Sequence, residues 1–242
     1  MLVGSYFILP SWLLFLATPV RANTEKAIFK APLVVNMPTQ PPTLDSLGLD
    51  ILTPDTSSLR TQVQATFPDE VSPQGTATWF LLYNLTTSQR YEIRVCWAAT
   101  QPTSFTLDTY ELDDVFDSPE LITSLAVYSH MRQLAPGDAT ARKVTPIQLD
   151  RQGQEEIQAS VLFLRILAAA DYFSDDPTRM SLVEPVVVDL ILDPYIFNIV
   201  PQSLAPTAAY ITTVAGLAVF LSQHVRSLLR GPSVVAASKK ST

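Results

Sequence analysis

Paired carboxylates are the first candidates for chemistry in this sequence. Asp113 and Asp114 in "ELDDVFD", and Asp175 and Asp176 in "SDDP", could bind a divalent cation or divide acid and base roles between two carboxyls. Both pairs sit among turn-forming neighbours, the ordinary solvated setting for Asp. His130 and His224 are the only histidines, one in the body and one at the end of an apolar stretch, so they do not read as a metal pair. Cys96 is the only cysteine, which excludes an internal disulfide and a cysteine-based metal cluster. It falls in a strand-like stretch, whereas a reactive thiol needs an electropositive, partly exposed setting. The chain has 7 glycines, no Gly-rich phosphate loop and no G-x-S-x-G motif. These residues yield no catalytic, cofactor-binding or metal site, and the chain reads as a non-enzyme.

Two motifs read as addresses. Asn84-Leu85-Thr86 is the single N-x-Ser/Thr sequon, a glycosylation acceptor if that part of the chain is exported. Lys239 and Lys240 in the terminal "KKST" match a dilysine retrieval signal, read by coat proteins if the tail is cytosolic. Both readings depend on topology, which two apolar segments set. Phe7 to Leu16 has signal-peptide length, and "VRA" before Asn23 has the form of a cleavage site, so residues 1–22 are expected to be a signal peptide. Ala205 to Val225 carries no formal charge and is long enough to cross a lipid bilayer as one helix. Within it, Ala215 and Gly216 offer small side chains for close packing against another membrane helix.

Arg226, Arg230, Lys239 and Lys240 follow without an acid, which suits the cytosolic side. The expected layout is single-pass type I in the endoplasmic-reticulum membrane, with a lumenal body and a basic cytosolic tail over residues 226–242. All 23 acidic residues lie between Glu25 and Asp193, and the net charge is −7. An acidic body argues against nucleic acid, which demands a basic face.

The elements that must position these residues read as mainly β. Residues 23–57, with Pro38, Pro41, Pro42 and Pro54, predict an extended surface segment with one early strand in "KAIFKAP". Residues 58–204 predict an antiparallel β-sandwich-like domain. In "RYEIRVCW", Tyr91, Ile93, Val95 and Trp97 alternate with Glu92, Arg94 and Cys96, and other β-branched and aromatic runs are separated by turn residues. "NLTTSQRYEIRVCW" is also similar to the penultimate strand of fibronectin type III domains, where a Tyr follows a polar turn. "TSLAVYSHMRQLA" fits a strand or a short helix, and "IQASVLFLRILAAADYF" reads as a strand. "LDPYIFNIVPQSLAP" joins body to span, as a linker or as a collar with Tyr195 and Phe197 at the interface.

Three stretches, "RANTEKAIFKAP", "RYEIRVCWAATQPT" and "LDPYIFNIVPQSLAPT", together with the layout, resemble the fungal GPI mannosyltransferase II co-activator family. That resemblance implies a non-catalytic endoplasmic-reticulum subunit with no cofactor of its own. Its partner would be a multi-spanning mannosyltransferase catalytic subunit that adds the second mannose to the glycosylphosphatidylinositol precursor from dolichol-phosphate mannose. A different class is a lumenal glycan- or protein-binding module, such as a cargo receptor or chaperone. Aromatic side chains on an open sheet face would favour it. An enzyme acting alone would need acids gathered in a cleft.

Overall fold

The computed structural model describes residues 23–39, 41, 43–134 and 156–229. In chain order its strands are β1 (Asn23–Lys30), β2 (Val35–Pro38), β3 (Asp50–Leu52), β4 (Ser58–Val63), β5 (Thr76–Leu85), β6 (Arg90–Trp97), β7 (Thr103–Tyr110), β8 (Glu156–Ala170), β9 (Val186–Ile196) and β10 (Val200–Pro201). The helices are α1 (Leu112–Asp117), α2 (Pro119–Leu134), α3 (Pro177–Ser181) and α4 (Ala205–Leu229). The chain divides into two compact units, Met1–Pro194 and Tyr195–Thr242.

Unit one holds two sheets packed face to face. In the first, β6 lies between β1 and β9, and β4 covers the far edge of β9, all antiparallel. In the second, β8 is central: β5 pairs along one edge, β7 and β2 share the other, and β3 adds to β5 in parallel. The alternation in β6 puts Tyr91, Ile93 and Val95 into the space between the sheets. There they meet Phe80, Leu82, Leu162, Leu164 and Ile166 of the second sheet and Val188, Leu190 and Leu192 of β9. The expected mainly β, antiparallel sandwich is borne out, with the short parallel β3 as its one parallel pairing among the described strands.

A second core lies on the opposite face of β5 and β8. Trp79, Leu81, Tyr83, Val161 and Phe163 pack there against Val115 of α1, Leu125 of α2 and the 3-10 turn Leu44–Leu47. The runs "WFLLY" and "VLFLRIL" are therefore apolar at consecutive positions because both faces of these strands are covered. The covering helices correct one reading and decide another. "ELDDVFD" is not a polar turn: the Glu111 and Asp114 side chains form a capping box, and Asp114 Oδ2 accepts the Glu111 N–H at 3.2 Å. "TSLAVYSHMRQLA" is helix, started by Pro119 in the first turn, where its missing N–H costs nothing.

The Pro-rich segment needs a larger correction. This segment holds three strands among its described residues where one was expected. β1 pairs with all of β6, β2 with the start of β8 and β3 with β5, so this segment contributes to both sheets. Pro38 stands at the last position of its strand, where a missing donor is tolerated. Gly75, just before β5, has φ of 78°, and a Cβ there would stand 2.0 Å from the Ala168 carbonyl oxygen. The close approach of β5 to β8 thus requires glycine.

Unit two begins with Tyr195 and Ile196, which pair with β10 in a tight hairpin. The 3-10 turn Gln202–Leu204 leads into α4. This helix runs to Leu229, beyond the expected Val225. At ~1.5 Å per residue its 25 residues exceed the ~30 Å of a bilayer core. From Pro206 to Leu228 every residue is exposed, and the stretch Gln202–Leu228 is long and apolar enough to cross a membrane.

Candidate functional site

Asn84 occupies a β-bulge. Leu82 pairs with Leu162 and Leu85 with Ser160, so β5 carries one extra residue at this point. Asn84 takes it up with φ of 56°, a left-handed conformation that Asn tolerates better than most residues. Its side chain is exposed, as is that of Thr86, while Leu85 between them is buried in the inter-sheet core. The Tyr91 hydroxyl fixes the following turn. It accepts the Thr86 N–H at 3.0 Å and donates to Gln89 Oε1 at 3.2 Å, while its ring stacks on Phe29 at 5.8 Å. This resembles the tyrosine corner of immunoglobulin-like sandwiches in kind. The sequon is therefore presented on a rigid corner with its acceptor nitrogen in solvent.

One carboxylate of each pair, Asp114 and Asp176, serves as a helix cap. Asp113 and Asp114 are exposed in the first turn of α1, and Asp176 caps α3 by accepting the Thr178 N–H at 2.9 Å. Asp175 beside it is exposed. His130 is exposed on α2, and His224 stacks on Phe220 within α4. Among the described residues no group of three potential metal ligands converges. Cys96 is half-buried on β6, with the Thr24 hydroxyl 3.6 Å from its sulfur.

Helix α4 has two unlike faces. Ala208, Thr212, Ala215, Gly216 and Val219 follow one another at three- and four-residue spacing, and Tyr210, Val214, Leu217 and Leu221 do so on the other side. A Cβ added at Gly216 would meet nothing within 4 Å, so the helix surface is open there. Thr212 and Thr213 donate their hydroxyls to the Ala208 and Ala209 carbonyls, each at 2.8 Å. Their polarity is thereby absorbed inside the helix, as a lipid setting demands. The structure places Ala215 and Gly216 on adjacent positions of the small-residue side. Lys239 and Lys240 lie outside the described residues, as do residues 1–22 with their expected cleavage site and residues 230–242 of the tail.

The outward face of the first sheet is lined with charged side chains. Its outward register holds Lys26, Ile28 and Lys30 of β1, Arg90, Glu92 and Arg94 of β6, Asp189, Ile191 and Asp193 of β9, and Arg60 of β4. Lys26 Nζ reaches Glu92 at 3.1 Å, Arg94 bridges Glu92 at 3.5 Å and Asp193 at 3.4 Å, and Arg60 binds Asp189 through two bonds of 2.7 Å. Arg60 holds the Asp189 carboxyl below its ordinary range, chiefly by these hydrogen bonds, which outweigh the opposing effect of burial and are helped by its charge. From Asp189 to Asp193 the β9 residues of this register are charged or aliphatic, and the next one, Tyr195, is buried. The alternation in β6 pointed to such a face, but the partners of each charge come from strands distant in sequence.

Comparison with known families gives one match. Residues 13–119 match the model of the Pga1 family, described as GPI-Mannosyltransferase II co-activator, so the resemblance expected from the sequence is borne out over that stretch. The match spans β1 to β7 and reaches the start of α2. No curated protein and no solved structure matches the chain.

Proposed function

We propose, from the Pga1-family domain over residues 13–119, that this chain is a non-catalytic accessory subunit of the mannosyltransferase that adds the second mannose to the glycosylphosphatidylinositol precursor. The family match alone carries the co-activator reading. Three further observations support the details. α4 is a candidate single span whose small-residue side, with Ala215 and Gly216, suits packing against a helix of a multi-spanning catalytic subunit. Asn84 is exposed on a rigid corner, as a lumenal glycosylation site requires. Asp114 and Asp176 are engaged in capping, and Asp113 and Asp175 beside them are exposed on the surface. In this reading the endoplasmic reticulum is the site of action, the sandwich is lumenal, the tail is cytosolic, and coat proteins read Lys239 and Lys240. The ion-paired positions of the open sheet face bear charged and aliphatic residues, and Tyr195 beside them is buried, which favours this reading over a glycan-binding module.

Depletion of the protein followed by mannose labelling of lipid-linked intermediates tests the reading. The expected result is accumulation of the precursor carrying one mannose. A normal precursor profile would overturn the proposal and favour the lumenal binding module. Replacing Ala215 and Gly216 by Leu should lower recovery of the catalytic subunit with the full-length chain, whereas D113N with D114N should leave it unchanged.

A further inference from the structure

The uncharged stretch of this chain is longer than one membrane crossing needs. No Asp, Glu, Lys or Arg occurs between Asp193 and Arg226, yet a span takes ~20 residues. The excess precedes α4 and forms the tight hairpin of unit two. Phe197 and Asn198 make its turn, with φ of 52° and 59°, closed by the Ile199 N–H donating to the Ile196 carbonyl at 3.1 Å. Two positive φ values define the turn type that ordinarily selects Asn-Gly or Gly-Gly. A bulky aromatic in the left-handed region is an outlier that the fold tolerates at a cost. Phe197 gains nothing from packing in return, since it is 90% exposed. Ile199 beside it is 75% exposed, and Ile196, Val200 and Leu204 are also open to solvent. Tyr195, the other aromatic expected at the interface, is buried.

An expensive turn residue that presents a phenyl ring to water calls for an apolar medium at that place. We infer that the tip of this hairpin, Phe197 with Ile199, inserts into the interfacial zone of the same bilayer that α4 crosses. The occupant of this surface is phospholipid. A bilayer is the medium at hand because the apolar patch is continuous in sequence with a helix fit to span one, and because the stretch between them bears no charge that would hold it in water. The inference rests on the reading of α4 as a membrane span, and the experiment separates the two.

Cys96 is the only cysteine, so C96S provides a background for single spin labels on the full chain reconstituted in phospholipid nanodiscs. Labels are placed at Phe197, at Ile199, at Val214 in α4 and at Val71, which is 91% exposed in the body. Relaxation by oxygen, which concentrates in lipid, is compared with relaxation by a water-soluble nickel complex. The expected result is that labels at positions 197, 199 and 214 favour oxygen and the label at 71 favours nickel. Nickel-accessible labels at 197 and 199, with oxygen preference at 214, would overturn the hairpin proposal alone. Nickel access at 214 as well would overturn the span reading and the proposal together. Labels at 197 and 199 shielded from both reagents would mean that protein covers the tip, which also overturns it.

Discussion

The two sheets of the sandwich share one core but treat their outer faces differently. The outer face of β5 and β8 is roofed by α1, α2 and the 3-10 turn at Leu44–Leu47, and buries Trp79, Leu81 and Phe163. The outer face of β1, β6 and β9 has no such roof among the described residues and is cross-linked by ion pairs. The first face is apolar because it must stay dry, and its side chains interlock with helices of the same unit. The second is wet, and its charges neutralise one another across strands. A face built this way stays soluble alone yet can meet another protein without burying unpaired charge.

The largest effect should come from the roofed face. Trp79 is fully buried, meets Phe163 edge to face at 6.1 Å and donates its indole N–H to Ser124 Oγ at 3.1 Å. Trp79→Ala removes that volume and that bond, and should cost about 3–5 kcal/mol. Ile28→Ala on the open face removes a side chain that is 53% exposed, and should cost no more than about 0.5 kcal/mol. Urea unfolding of the detergent-purified chain, followed by circular dichroism, measures both. Equal losses would break the comparison, because Ile28 would then be covered in the protein as purified.

An intermediate effect is expected at Glu92, the one carboxylate of the open face that both Lys26 and Arg94 address. Although it belongs to the solvent side, it is only 4% exposed, since the long side chains beside it lie over it. Glu92→Gln keeps the shape and removes the charge, so Lys26 and Arg94 lose a charged acceptor. The expected cost is about 1–3 kcal/mol, greater than for Ile28→Ala and smaller than for Trp79→Ala. A variant as stable as the parent would show that the ion pairs organise the face without stabilising it. A thermal unfolding series at two salt concentrations distinguishes these outcomes.

The same contrast explains what the sequence disclosed. Alternation in β6 was legible because only one of its faces is dry. β5 and β8 looked like uniform apolar runs because both of theirs are, and such runs imply a covering layer that no local pattern names. That layer comes from α1 and α2, and the residues that cap α1, Glu111 and Asp114, resemble an acidic turn until the helix after them is known. The Pro-rich segment read as an extended surface run with one strand because its prolines are local, whereas its pairing with β6 and β8 joins residues far apart in the chain. Among the candidate sites, the sequon announced itself by its three residues. The bulge that exposes Asn84 depends on a register shift against β8 that is invisible before the sheet is assembled. The ion-pair face and the Phe197 turn were hidden for the same reason: neither a cross-strand partner nor a positive φ is written in residue type.

The smallest expected effect tests whether the open face's outer pairs behave as surface electrostatics. Arg60 and Asp189 face each other across β4 and β9, and both remain accessible to water. The Asp189 carboxyl is held below its ordinary range, chiefly by hydrogen bonds from Arg60. A carboxyl lowered in the folded state adds stability above its unfolded pKa, and that contribution is lost as pH falls through the folded pKa. Arg60→Met should therefore raise the Asp189 titration toward the ordinary carboxylate range and confine any change in the pH dependence of stability to the acidic side. At neutral pH the loss should be small, because exposed pairs are hydrated and screened. Raising the salt to about 1 M, where the Debye length is ~3 Å, should weaken the long-range part of the attraction and leave the two short bonds in place. Carboxyl NMR of Asp189 in the parent and in Arg60→Met reads the shift directly. If the titration does not move, Arg60 is not the cause of the lowering, and the pair contributes geometry to the face without electrostatics. If it moves and the variant also unfolds much more easily at neutral pH, the outer edge of the open face is as dry as the roofed one, and the distinction between the two faces does not hold at β4.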